Sequence, residues 1–141
     1  MARYVIGTPE EMMALGALLA ARLAGGCVVA LAGAMGSGKT TFCRGLGQGL
    51  GVQDPVSSPT YTIANYYRGA VPLAHFDATR VQGPQDFEAA GFYDYLDGGA
   101  VVAVEWSENV AALLEEPLVH VDIAVLEGGA REVTIEGVAQ L

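Results

Sequence analysis

Hydrophobic positions fall into two kinds of pattern along this chain. Two short runs are wholly apolar, Cys27–Ala32 and Ala100–Val104, which is how strands buried on both faces read. Other stretches alternate. Val119–Leu126 and Arg131–Val138 alternate on either side of Gly128-Gly129, the signature of a hairpin. Arg3–Ile6 and Leu73–Phe76 read as further short strands, and the β-branched and aromatic run Thr60–Tyr67 as another.

Helical spacing appears between them. Met12, Leu15, Leu18, Leu19 and Leu23 form an apolar stripe. Thr8 is placed to cap that helix, Pro9 to occupy its first position and Glu11 to close a capping box, with Gly25-Gly26 as the stop. Phe42 and Leu46 mark a second helix, which contains Gly45, Gly47 and Gly49, each costing about 1 kcal/mol relative to alanine. Pro84–Leu96 has an irregular helical pattern, and Ser107–Leu114 reads as a short helix. The order predicts a single α/β domain over residues 1–141 with a three-layer fold. Its mixed sheet has a parallel core and an antiparallel C-terminal hairpin.

Composition narrows the function. The chain has 16 acidic and 7 basic residues, a formal net charge of −9, and no basic stripe. Such a domain gains nothing from counterion release on nucleic acid, so direct tight binding to DNA or RNA is not expected. The acidity favours docking on a basic protein surface. No apolar run is long enough to span a bilayer and no signal segment opens the chain, so a cytoplasmic protein is expected. Cys27 and Cys43 read as small buried hydrophobes in a reducing compartment.

Lys39 is the only lysine, and it lies in Gly33-Ala34-Met35-Gly36-Ser37-Gly38-Lys39-Thr40. This matches the phosphate-loop pattern G-x-x-x-x-G-K-[ST], between an apolar strand and a helix as the motif requires, so the expected three-layer fold is of the P-loop NTPase kind. Glycines let the main chain approach a polyphosphate, and the N–H groups from Gly36, Ser37 and Gly38 into the helix would face the anion. Lys39 would reach the β- and γ-phosphates, and the Thr40 hydroxyl would ligate Mg²⁺. With no second lysine there is no Asn-Lys-x-Asp guanine motif, which makes ATP the expected nucleotide.

Two strands end in a carboxylate, Asp77 and Glu105. Ligands of open α/β sheets sit beyond the carboxyl ends of the strands, so one of these acids would hold Mg²⁺ and the other would orient or deprotonate the attacking group. Arg80 could neutralise phosphate charge or pair with Asp77 or Glu88. Trp106 lies beside Glu105; His75 is expected to pack under its strand end and His120 to face solvent.

The series Gly33–Thr41, then Ser58-Pro59-Thr60-Tyr61, then His75-Phe76-Asp77-x-x-Arg80, then Glu105-Trp106 resembles the bacterial TsaE family. The resemblance covers nearly the whole chain. It implies a small, partner-dependent ATPase that supports a TsaB–TsaD heterodimer in forming threonylcarbamoyladenosine at position 37 of tRNAs reading codons that begin with A. It also implies Lys39, Thr40 and Thr41 at the phosphates, Glu105 at Mg²⁺, Asp77 in hydrolysis and Thr60 in a switch-like loop. Arg131 matches an arginine that the family carries near the nucleotide. Where the family pattern has Tyr, this chain has Thr79, and where it often has an acid, Ala34. The competing readings are a small-molecule kinase, disfavoured by scattered arginines and no evident lid, and a nucleotide-dependent binding module in which hydrolysis is incidental.

Overall fold

The computed structural model describes residues 2–57, 59, 63–79, 81, 83–105, 110, 114, 118–139 and 141. The chain runs β1 (Ala2–Ile6), α1 (Pro9–Ala20), β2 (Val28–Gly33), α2 (Lys39–Gly49), β3 (Ala64–Tyr67), β4 (Leu73–Asp77), α3 (Pro84–Ala89), α4 (Phe92–Asp97), β5 (Val101–Glu105), β6 (Leu118–Val125) and β7 (Arg131–Glu136). The strands form one seven-stranded sheet in the order β1-β7-β6-β2-β5-β4-β3. Strands β6, β2, β5 and β4 are parallel, while β7, β1 and β3 join antiparallel at the edges. This is the expected mixed sheet with a parallel core.

The apolar runs are where this topology needs them. β2 lies at the centre, and every residue of β5 is buried. Val29, Leu31, Val101 and Ala103 face a core shared with α1 and α2, whereas Val28, Val102 and Val104 face a second core. Phe76, Phe87 and Phe92 pack against one another in that second core. Strands β6 and β7 alternate because their outer face is open: Val119, Val121 and Ile123 are buried, while His120 and Asp122 are exposed. The Pro84–Leu96 pattern is irregular because it holds both α3 and α4, broken at Gly91, whose φ of +93° favours glycine.

Helix α1 begins as expected, with the Thr8 side chain accepting from Glu11 N–H at 3.1 Å. The Glu11 carboxylate closes the box one residue early, on Gly7 N–H at 3.1 Å rather than on the Thr8 amide. The buried face also differs from the leucine stripe. Met12, Leu15, Gly16, Leu19 and Ala20 are buried, Leu18 is 56% exposed, and Leu23 lies beyond the helix. Contact with α2 explains the shift. A Cβ on Gly45 would stand 2.1 Å from Met13 O, one on Gly16 2.4 Å from Phe42 O, and one on Gly49 2.8 Å from Ala17 O. Gly45 and Gly49, two of the glycines that weaken α2 as an isolated helix, therefore form the seam that lets it approach α1 at backbone distance, while Gly47 faces Val52, Val56 and Leu73.

The hairpin is present, with Leu126 N–H donating to Ala130 O at 2.7 Å across Gly128-Gly129. Strand β3 covers only Ala64–Tyr67 of the expected Thr60–Tyr67, since residues 60–62 lie outside the described residues, as does most of Ser107–Leu114. Among the described residues no helix is long and apolar enough to cross a membrane.

Candidate functional site

The phosphate loop joins the central strand β2 to α2. Its backbone takes angles that side chains resist: Gly33 φ +154°, Gly36 φ +78° and Gly38 φ +114°. Gly33 also has no room for a side chain, as a Cβ would lie 2.6 Å from Ile123 O and 2.7 Å from Ser37 Oγ. Gly38 is the N-cap of α2 and supplies no side-chain acceptor, so the first-turn amides keep their capacity for an anion. The Ser37 hydroxyl is buried with no hydrogen-bond partner among the described residues.

Lys39 is almost fully buried, and its ammonium donates to Gly33 O at 2.6 Å and Ala34 O at 3.1 Å. A buried cation needs such partners. They hold it against the loop it follows.

Arg131 reaches the same loop from the start of β7. Its Nε donates to Ser37 O at 3.0 Å, Nη2 to Gly36 O at 3.2 Å, and Nη1 to Gly129 O. The hairpin is thus tied to the outer side of the phosphate loop by one guanidinium. An open cleft lies between this corner and the start of α1, with Gly7, Pro9 and Met12 facing Gly38, Thr41 and Arg131.

The other side of the site is built by strand order. β5 lies next to β2, and β4 next to β5, with Leu31 in register with Glu105 and Asp77 with Glu105. Both carboxylates therefore end neighbouring strands beside the loop strand. Glu105 is buried, and its two oxygens lie 3.5 and 3.3 Å from Thr40 Oγ1, which donates to them. Asp77 is half-buried, and its Oδ1 accepts from Thr79 N–H at 2.9 Å and Thr79 Oγ1 at 2.6 Å. The residue that stands in place of the family tyrosine thus holds Asp77 locally.

His75 does more than pack beneath a strand end. It is fully buried, its Nε2 bonds Glu105 Oε2, and among the described residues its Nδ1 has no hydrogen bond of good geometry. Donor atoms of Cys43, on α2, His75 and Glu105 all lie within 4.8 Å of one another. Burial disfavours the charged ring, but Cys43 and the Glu105 carboxylate outweigh it and hold the His75 pKa well above its ordinary value. Period-two alternation in the sequence puts His75 on the strand face of Asp77; the register that sets it opposite Ala103, two residues before Glu105, comes only from the sheet.

The structure thus gathers Gly36, Ser37, Gly38, Lys39, Thr40, Thr41, Arg131 and Glu105 around one loop, with Asp77 one strand away. Thr60, Arg80 and Trp106 lie outside the described residues. His120 is exposed, as expected, and both cysteines are free and buried.

The donor set suits a hard divalent cation at Thr40 and Glu105, which offer oxygen only. The loop, with its glycine angles, uncapped helix start and a Ser37 hydroxyl unpartnered among the described residues, suits a polyphosphate.

Known proteins similar to this chain match it over nearly its whole length. Residues 6–133 match the family described as threonylcarbamoyl adenosine biosynthesis protein TsaE. A Treponema pallidum relative described as tRNA threonylcarbamoyladenosine biosynthesis protein TsaE is 37% identical over 133 residues, covering 94% of this chain and 98% of its own. A Streptomyces coelicolor relative with the same description is 40% identical, covering 92% of each chain. The crystal structure of Bacillus subtilis YdiB superposes with a TM-score of 0.78 at 31% identity, covering 95% of this chain and 83% of that one.

Proposed function

The chain belongs to the TsaE family of threonylcarbamoyl adenosine biosynthesis proteins, and from that premise we propose that it binds and hydrolyses ATP with Mg²⁺ in support of a TsaB–TsaD heterodimer. The product would be threonylcarbamoyladenosine at position 37 of tRNAs that read codons beginning with A. The observation that carries the nucleotide part is the glycine loop with Lys39 behind it and the Thr40–Glu105 pair at its end.

Each residue has a task that its surroundings support. The amides of Gly36, Ser37 and Gly38 and the first turn of α2 bind the β-phosphate, and Lys39 leaves its loop carbonyls for phosphate oxygens. Thr41 and Arg131 border the cleft beside α1, where the base and ribose would lie against Gly7, Pro9 and Met12. Thr40 and Glu105 would hold Mg²⁺, which when bound neutralises charge on the phosphate oxygens. Asp77, less buried and one strand further out, orients the attacking water or takes its proton. Partner dependence agrees with an acidic surface that would steer toward a basic one.

The test is nucleotide titration of the wild type and Lys39→Ala, followed by phosphate release with and without a TsaB–TsaD pair. Lys39→Ala removes a charge-assisted contact of roughly 1.5–3 kcal/mol, a loss in ATP affinity of about tenfold or more. Unchanged affinity would sink the loop assignment, and hydrolysis indifferent to TsaB–TsaD would remove the partner dependence.

A further inference from the structure

A buried polar ring among apolar neighbours calls for an explanation, because a well-packed apolar side chain at such a position is often as stable or more so. His75 is that ring. It faces the α1–α2 side of the sheet between the fully buried Leu73 and the strand end, and its Nε2 is spent on one carboxylate oxygen of Glu105. Glu105 in turn faces Thr40, the first-turn hydroxyl of α2. The connection runs from β4 through β5 to the helix that follows the phosphate loop.

We propose that His75 is the positioning residue for Glu105, fixing the carboxylate toward Thr40 so that the divalent cation finds its oxygens already oriented. The inference rests on the reading of Glu105 as a metal-holding group. A glutamate has three side-chain torsions, and an unbonded carboxylate at a strand end samples several of them. A bond from a ring that is itself locked by packing removes that freedom before the cation arrives, as outer partners of metal ligands do elsewhere. Among the described residues Asp77 receives no such bond from the core; its side chain accepts from Thr79, two residues on in its own loop.

The experiment separates metal coupling from general stability. ADP is titrated into wild type, His75→Phe, His75→Gln and Glu105→Ala, each in Mg²⁺ and in EDTA. His75→Phe keeps an aromatic ring, larger than the imidazole, and loses the donor; the expected result is an affinity in EDTA within about twofold of wild type, with the Mg²⁺-dependent gain reduced about tenfold. His75→Gln, which retains an N–H, recovers part of that gain. Equal losses with and without Mg²⁺, or no loss, overturn the inference. If Glu105→Ala keeps the full Mg²⁺ gain, the metal role of Glu105 fails first; if Glu105→Ala loses the gain and His75→Phe keeps it, only the positioning role fails. Should His75→Phe not fold, the wild-type protein decides: ¹⁵N signals of the His75 ring are expected to shift when Mg²⁺ is added to the ADP complex, and static signals would overturn the proposal.

Discussion

The ends of β4 and β5 sit side by side, in register, and each finishes in a carboxylate, yet they are held in opposite ways. Glu105 is buried and bonded from two other elements, by His75 of β4 and Thr40 of α2. Asp77 is half-buried and bonded by Thr79, two residues further along. Long-range bonds fix an acid relative to the rest of the site, while a local turn fixes it only relative to its own loop. The first arrangement suits a group that must present itself to a cation in one geometry. The second suits a group that can adjust as the attacking molecule and a partner arrive.

The sharpest way to break this contrast is Glu105→Ala. It is expected to remove the Mg²⁺-dependent gain in nucleotide affinity and to lower single-turnover hydrolysis by about two orders of magnitude. It also strands His75 in the core without its carboxylate, so the thermal midpoint should fall as well. A variant that binds Mg²⁺·ATP as wild type does would show that the better-held acid is not the metal group.

Asp77→Ala should come next. Affinity for Mg²⁺·ATP is expected to stay within about threefold while turnover falls by roughly a hundredfold, because the group acts mainly in the transition state. Normal hydrolysis, alone and with TsaB–TsaD, would leave Glu105 as the only functional carboxylate of the pair. The smallest effect is expected for Thr79→Val, which removes the hydroxyl bond to Asp77 and leaves the backbone one. Thr79 is exposed, so water can replace the lost donor, and the change corresponds to about tenfold or less in turnover. A Thr79→Val defect as large as that of Asp77→Ala would mean that the loop holds Asp77 as firmly as the core holds Glu105.

Some of this was legible in the residues alone because the chemistry is local. The phosphate loop is contiguous, so its glycines, Lys39 and Thr40 declare themselves by spacing, and a wholly apolar run ending in Glu105 declares a buried strand with an acid at its tip. The hairpin needed only alternation and Gly128-Gly129. Pro84–Leu96 showed only an irregular helical pattern, and its division at Gly91 into α3 and α4 came from the structure.

What escaped the sequence depends on residues far apart in the chain. Gly45 and Gly49 read as weak points of a helix until α1 lies against them, and Leu18 reads as core until that same contact turns Gly16 inward instead. Arg131 gives no sign that it binds the carbonyls of a loop some ninety residues earlier, and His75 none that its partner is Glu105 rather than nearby Asp77. Contiguous spacing determined which chemistry this chain carries; strand order and helix approach, set by burial on both faces of the sheet, decided which side chains meet to perform it.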